Sequence, residues 1–302
     1  MKYLVTGGAG FIGSHLTEQL LENGHEVTVL DNLSYGKKEN LPHKCEFIYG
    51  DILDKTVLKK AFKGVDGCFH LAAVASVQQS VKDWVNTHRV NLTGTINIFE
   101  EAEKQNIPVV YASSAAVYGN ISKSFLTEDL LPQPISGYAA DKYACELQAK
   151  AFGAIFALPT FGLRFFNVYG SRQLPDSSYS GVISIFLSRI RNKQPLTIFG
   201  DGNQTRDFIF VKDVVNFIIA AMQNVSAHAP VTNVCTGKGT TVNELAQKLF
   251  SILGKVNIEY LPAKKGDALI SVGSPVKAEQ ILKIKALVPL GKGLNELVVS
   301  VV

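Results

Sequence analysis

Cysteine is scarce in this chain. Four residues in 302, at positions 45, 68, 145 and 235, stand with no C-x-x-C pair and no histidine cluster beside them. That scatter argues against a zinc site and suits a reducing compartment, so no metal is expected and a cytoplasmic setting is. Long apolar runs are lacking as well. The longest candidate, 214–222, is interrupted by Asn216 and falls short of the roughly 18 residues of a membrane span. Gly7 and Gly8 break the first apolar stretch, so no secretory leader is expected and the fold is read as beginning at Lys2. Charge of one sign is also missing: 30 basic against 26 acidic side chains leave +4, and the lysines stand singly or in pairs. Nucleic acid and membrane surfaces are therefore not the expected partners, whereas a small diphosphate needs only a few well-placed cations.

What the chain does have is apolar side chain, 46% against 19% charged. That is enough to offset chain entropy and to build one large domain or two sharing an interface. Residues 2–6 (KYLVT) read as a strand and a glycine turn follows. Over 11–23, Ile12, Leu16, Leu20 and Leu21 recur at helical spacing until Gly24 stops the helix. The next apolar run, 26–30 (EVTVL), ends on Asp31. Strand, turn, helix and strand within about 30 residues form a βαβ unit, which implies a parallel sheet buried on both faces. The rhythm continues with strands at 45–49, 67–71 and 109–112 and helices at 54–62, capped by Asp54, at 84–104 and at 138–152. The expected fold class is thus α/β, a doubly wound parallel sheet (Rossmann) over 1–166. Past Asn167, turn residues crowd 170–181 and 195–205. They mark a smaller, mixed α/β part, 167–207 and 236–302, over the sheet's carboxyl edge. Segments at about 208–235, an apolar helix and the run 230–235, are expected to return to the main sheet.

Two constellations carry chemistry. Gly8, Gly10 and Gly13 fit G-x-G-x-x-G, and Gly7, Gly10 and Gly13 fit G-x-x-G-x-x-G, between a strand and a helix. Small residues there let the backbone approach a pyrophosphate at the helix N-terminus, where free N–H groups and the macrodipole favour anions. Asp31, at the end of the second strand, can accept from a ribose 2′-hydroxyl and repel a 2′-phosphate, which favours NAD over NADP. The second constellation is Ser113-Ser114, Tyr138 and Lys142. Tyr138 and Lys142 are one helical turn apart, so the ammonium is expected to favour phenolate. At about 5 Å and an effective dielectric near 20, it contributes on the order of 3 kcal/mol, roughly two pH units. Tyr260 and Lys264 repeat the spacing, but Pro262 between them argues against a helix.

Taken in order, TGGAGFIG at 6–13, DNLS at 31–34, GDI at 50–52, HLAA at 70–73, SSAAVYG at 113–119, the Y-x-x-x-K pair, LRFFNVYG at 163–170 and GDGNQTRDFIFVKDV at 200–214 resemble one family. It is the extended short-chain dehydrogenase/reductase family, in its NAD-dependent nucleotide-sugar epimerase/dehydratase branch. The resemblance implies NAD as cofactor, a UDP-sugar as substrate and a homodimer paired through the helices at 84–104 and 138–152. It makes Tyr138 the base, Lys142 its electrostatic partner and Ser114 the hydroxyl that orients the sugar. It puts the cofactor on Gly7, Gly10, Phe11, Ile12 and Gly13, on Asp31, Asn32 and Ser34, and on Asp51 and Ile52 at the adenine. Leu71, Ala72, Ala73, Asn91 and Phe165 join them, with Tyr138 and Lys142. For the sugar nucleotide it implies Ser76, Ser80, Ser114, Asn167, Val182, Thr197, Phe199, Arg206, Lys264, Asp267 and Ser271, with Asn167 and Arg206 at the diphosphate.

Dehydratases and decarboxylases of this branch place an acid just after the Ser/Thr, because their chemistry needs a further proton-transfer group. Here those positions are Ala115 and Ala116, so a 4-epimerase acting through a 4-keto sugar is expected. Ser271 stands where the branch carries a gatekeeper beside the sugar's C2 substituent. A bulky gatekeeper would overpack an acetamido group at a cost of roughly 1–3 kcal/mol. The small Ser271 points to UDP-GlcNAc and UDP-GalNAc, with UDP-glucose and UDP-galactose as the other pair. Lys264 replaces a usual Arg, Ser274 a usual Asp and Gln78 a usual Pro. The alternatives are a sugar-nucleotide 4,6-dehydratase or decarboxylase, or a non-catalytic NAD(H)-binding module.

Overall fold

The first βαβ unit forms as its spacing requires, from β1 (Lys2–Thr6), α1 (Phe11–Glu22) and β2 (Glu26–Asp31). The alternation continues through β3 (Glu46–Tyr49), α2 (Lys55–Ala61), β4 (Gly67–His70), α3 (Val77–Lys82), α4 (Trp84–His88), α5 (Gly94–Glu103), β5 (Val109–Ser114), α6 (Gly137–Phe156) and β6 (Thr160–Phe165). The computed structural model describes residues 1–121, 123–174, 181–263 and 268–300. Asp54 caps α2, accepting from the Thr56 and Val57 N–H groups at 2.8 and 3.3 Å. The single helix expected over 84–104 is instead α4 and α5 joined by one wide π turn, Arg89–Thr93. There the Asn91 carbonyl accepts from the Thr95 hydroxyl at 2.6 Å and the Cys145 thiol at 3.3 Å, side-chain donors that serve a loosened ladder.

Beyond β6 come β7 (Asn167–Tyr169), α7 (Val182–Arg191), β8 (Leu196–Phe199), β9 (Thr205–Phe210), α8 (Val211–Met222) and β10 (Val231–Val234). Then follow β11 (Gly239–Thr241), α9 (Val242–Leu253), β12 (Ile258–Leu261), β13 (Ile270–Ser271), α10 (Val276–Leu282) and α11 (Leu290–Ser300). Seven strands make one parallel sheet in the order β10-β6-β5-β4-β1-β2-β3. The order reverses between β1 and β4, which opens a crevice at their carboxyl ends, the place where open α/β sheets hold ligands.

Both faces of this sheet are covered. Leu16 and Leu20 of α1 and Val214, Phe217 and Ile218 of α8 bury against one. Leu58 of α2, Ile98 and Phe99 of α5 and Ala149 of α6 bury against the other. Each fully buried Leu, Ile, Val or Phe contributes roughly 1.5–3 kcal/mol, so the strands framing the crevice are held firmly. A second sheet pairs β11, β9 and β13, with β7 also on β9, and β12 pairs with β8. A separate core of Ile183, Phe186, Leu196, Leu245 and Leu249 lies beneath α7 and α9. The wholly buried Asp207 of β9 accepts from the Thr236 N–H and hydroxyl and the Gly237 N–H, which fastens the second sheet to the segment leaving β10.

Candidate active site

A cavity of about 790 Å³ runs along the carboxyl ends of β1, β2, β4, β5 and β6. Its floor is the glycine turn. Gly7 has φ +71°, and a Cβ there would stand 2.7 Å from the Ala72 backbone nitrogen. A Cβ on Gly13 would lie 2.2 Å from the Gly7 carbonyl oxygen. Gly10 caps α1 without a side chain, so the first N–H groups of that helix are free to meet an anion. This cradle fits a pyrophosphate, and any larger residue at Gly7 or Gly13 would collide with the backbone that shapes it.

Asp31 lines the same cavity at the end of β2. Its carboxylate accepts from the Ala9 N–H at 3.0 Å and the Leu33 N–H at 2.8 Å, which ties the glycine turn to β2. Burial raises its pKa, and those two N–H groups oppose the rise. A carboxylate with spare lone pairs here fits a ribose diol. Asn32, Ser34, Asp51 and Ile52 continue the wall. Tyr35, Gly36, Lys37 and Asn40 join them, residues that the sequence reading missed. Lys37 N and Asn40 Nδ2 both donate to the Ala9 carbonyl, so this loop folds back over the turn. The only signal for it was Gly36, where a Cβ would sit 2.8 Å from the Ala9 backbone.

The catalytic candidates meet on the opposite wall, which Ser114, Tyr138, Lys142 and Phe165 line with Leu71, Ala72 and Ala73. Ser136 starts α6 by accepting from the Ala139 N–H at 3.2 Å, so Tyr138 lies in the first turn and faces the end of β5. Burial raises the Tyr138 phenol, and its hydrogen bond with the Ser114 hydroxyl opposes that. The depressed phenol expected from the Tyr138–Lys142 spacing is thus not found. Lys142 is itself buried, which lowers its pKa. Its Nζ turns to the Ala112 carbonyl at 2.9 Å and stands 6.0 Å from the Tyr138 ring centroid. His70 lies beside it, bonded to the Thr6 and Thr95 hydroxyls at 2.7 and 3.0 Å. Burial, with Lys142 adding to it, pushes His70 down to about 3, so it stays neutral.

The remaining candidates divide. Asn167 and Val182 line the cavity, together with Arg172, Gln173 and Phe208, which the sequence reading also missed. Asn91 lies behind the wall: its amide accepts from the Val74 N–H at 2.8 Å and donates to the Val74 carbonyl at 3.0 Å, fixing a residue that does line it. Ser76 caps α3 and the buried Ser80 donates to the Val77 carbonyl, so neither hydroxyl is brought to the wall. Thr197, on β8 with Phe199, accepts from Arg189 of α7. Arg206 on β9 sits in register with Ser271 on β13. All four stand outside the cavity wall. Tyr260 is on a strand, as Pro262 led one to expect. Lys264 and Asp267 lie outside the described residues. Among the described residues there is no cluster fit to hold a metal ion, and no helix is long and apolar enough to cross a membrane.

Comparison with known proteins agrees with this geometry. A UDP-glucose 4-epimerase of Mycolicibacterium smegmatis is 37% identical, with 99% of this chain and 97% of that protein covered. The solved UDP-glucose 4-epimerase of Thermotoga maritima with UDP-glucose matches at 38% identity and TM-score 0.95, covering 99% and 97% of the two chains. A UDP-N-acetylglucosamine 4-epimerase of Methanobrevibacter ruminantium, in complex with UDP-N-acetylmuramic acid, matches at 36% identity and TM-score 0.93, covering 98% and 96%. The model of the NAD dependent epimerase/dehydratase family matches residues 3–235, from β1 through β10, and so spans the glycine cradle, Asp31 and the Ser114–Tyr138–Lys142 wall. The chain belongs to the NAD dependent epimerase/dehydratase family.

Proposed function

We propose that this chain is an NAD-dependent 4-epimerase of UDP-hexoses, with UDP-GlcNAc and UDP-GalNAc as the preferred pair. One observation carries the reading: Ser114, Tyr138 and Lys142 share a cavity with the glycine cradle and Asp31, and no carboxylate follows Ser114. Ala116, which lines the cavity, and Ala115 stand where a dehydratase or decarboxylase needs a further proton-transfer group. NAD⁺, which the glycine cradle and Asp31 would hold, would supply reversible hydride acceptance at the sugar's C4. Tyr138 Oη takes the proton of the 4-hydroxyl and later returns it, while the Ser114 hydroxyl orients that oxygen. Lys142, with Nζ 6.0 Å from the Tyr138 ring centroid, holds the end of β5 through the Ala112 carbonyl. Between the two transfers the 4-keto sugar would turn over, so that hydride returns to its opposite face and C4 is inverted with no net oxidation.

In this reading residues 1–166, with the return at about 208–235, hold the cofactor, and 167–207 with 236–302 hold the sugar nucleotide. Asn167 and Val182 line the cavity on that side. Arg206 and Ser271 pair in register outside that wall, and the N-acetylated sugar rests on the resemblance that makes the small Ser271 the gatekeeper. A homodimer is part of the proposal. Val81 of α3, Trp84 and Val85 of α4 and Leu147 of α6 are exposed apolar side chains on neighbouring helices, a face suited to a second copy. Four unpaired thiols support a reducing, cytoplasmic setting.

Proton NMR of the protein with NAD⁺ and UDP-GlcNAc is expected to show the C4 epimer accumulating to equilibrium. An unchanged spectrum with every UDP-hexose, or a stable 4-keto or pentose product, would overturn the reading. Ser271→Tyr is expected to abolish turnover of the N-acetylated sugar while sparing UDP-glucose, and equal loss on both would remove the sugar assignment.

A further inference from the structure

Glu146 is a buried acid that the proposed reaction does not use. It stands one helical turn after Lys142 on α6, only 3% exposed, so Tyr138, Lys142 and Glu146 follow one another along a single face. Each grips one of the last three residues of β5. Tyr138 faces Ser114, whose hydroxyl counters the rise of its phenol, Lys142 Nζ donates to the Ala112 carbonyl at 2.9 Å, and Ser113 Oγ donates to Glu146 Oε1 at 2.5 Å. Arg164, the in-register partner of Ser113 on β6, closes on the same carboxylate as a fork, Nε to Oε1 at 2.9 Å and Nη2 to Oε2 at 2.7 Å. The guanidinium lies 4.8 Å from the Tyr118 ring centroid, and the Tyr118 hydroxyl donates to Asn233 Oδ1 at 2.7 Å. A buried ion pair gains little stability over apolar residues of the same shape, whereas a bidentate fork fixes orientation.

We propose that Glu146, clamped by Arg164 and bonded to Ser113, is the positioning residue that sets the rotation and height of α6 over β5 and so holds Tyr138 against Ser114. It acts through these neighbours and touches no substrate. The assignment rests on the epimerase reading for the reaction it serves.

Three variants test it in the NAD-loaded protein. Ser113→Ala removes the hydroxyl link and leaves the ion pair, Ser113→Thr restores the hydroxyl, and Glu146→Gln keeps the shape without the charge. Melting temperature reports folding. The readouts are kcat and KM for the UDP-sugar and, independently of turnover, titration of the Tyr138 phenol on ring-labelled tyrosine, assigned by its loss in Tyr138→Phe. The ionisable groups on the packed elements include Lys142, Cys145 and the Asp141–His88 pair on or beside α6, Tyr111 on β5, His70 on β4, and the Glu146–Arg164 pair with Tyr118.

Ser113→Ala is expected to lower kcat on the order of 10- to 100-fold with KM unchanged. Its phenol should titrate at higher pH, because the opposing bond with Ser114 is loosened. Ser113→Thr returns both to wild type, and Glu146→Gln repeats the kcat loss. A lower melting temperature with kcat and phenol unmoved in Ser113→Ala would make the pair structural only and end the proposal. If the wild type turns over no UDP-hexose, the reaction assignment fails, and the phenol titration alone still decides the positioning role.

Discussion

At the scale of single residues, the site depends on what burial does to two side chains. Tyr138 is a phenol that burial pushes up, with the Ser114 hydroxyl offsetting only part of the rise. Tyr138→Phe keeps the ring and removes the oxygen, so kcat is expected to fall about 10²- to 10⁴-fold while NADH affinity, followed by fluorescence titration, stays near wild type. His70 is held neutral by burial between the Thr6 and Thr95 hydroxyls. Below about pH 6.5 the unfolded chain takes up a proton there that the folded chain refuses until about pH 3. The folded pKa is the depressed one. This contribution to stability is therefore fully present above 6.5 and is lost as pH falls toward 3. In urea unfolding, the wild-type advantage over His70→Gln is expected to shrink by about 2 kcal/mol between pH 7 and pH 5. A constant difference would mean that His70 takes up a proton in the fold.

At the scale of elements, glycines with the same backbone demand separate by what surrounds them. Gly7 and Gly24 both have positive φ, yet a Cβ on Gly7 meets the Ala72 backbone and one on Gly24 meets nothing within 4 Å. Gly24→Ala is expected to cost about 1 kcal/mol and to leave NAD binding intact. Gly7→Ala and Gly13→Ala are expected to abolish NAD binding in calorimetry, because the neighbouring backbone cannot give way. The β1-α1-β2 unit, Asp31 and the α6 pair were legible in the sequence because glycine spacing, strand length and helical period are local. The inward turn of Ser80, the Asn91 clamp on Val74 and the turn of Lys142 toward Ala112 were not. The last two depend on a backbone group far along the chain, Asn91 from within a π turn that interrupts the period, whereas Ser80 spends its hydroxyl on the Val77 carbonyl three residues back. The short strands β7, β11 and β13 were also missed, since two- and three-residue strands gain their identity only from the β9 edge they join.

At the scale of the whole molecule, the proposed dimer face adjoins the site. Trp84 is 55% exposed, and its ring packs so closely on Gly137 that a Cβ there would lie 3.0 Å away. Gly137 opens α6 just before Tyr138. Trp84→Glu is expected to give a monomer by light scattering, with a lower kcat because the first turn of α6 loses that cover. A dimer that persists would place the interface elsewhere. The arrangement of the main sheet also has a consequence for synthesis. β10 lies beside β6, although β7, α7, β8, β9 and α8 are translated between them. A nascent chain halted before Val231 carries β6 with one flank bare and lacks the strand that shields it. The seven-stranded sheet therefore closes only after β7, α7 and β8 have been made, so the main sheet and the part that interrupts it cannot be built as successive units.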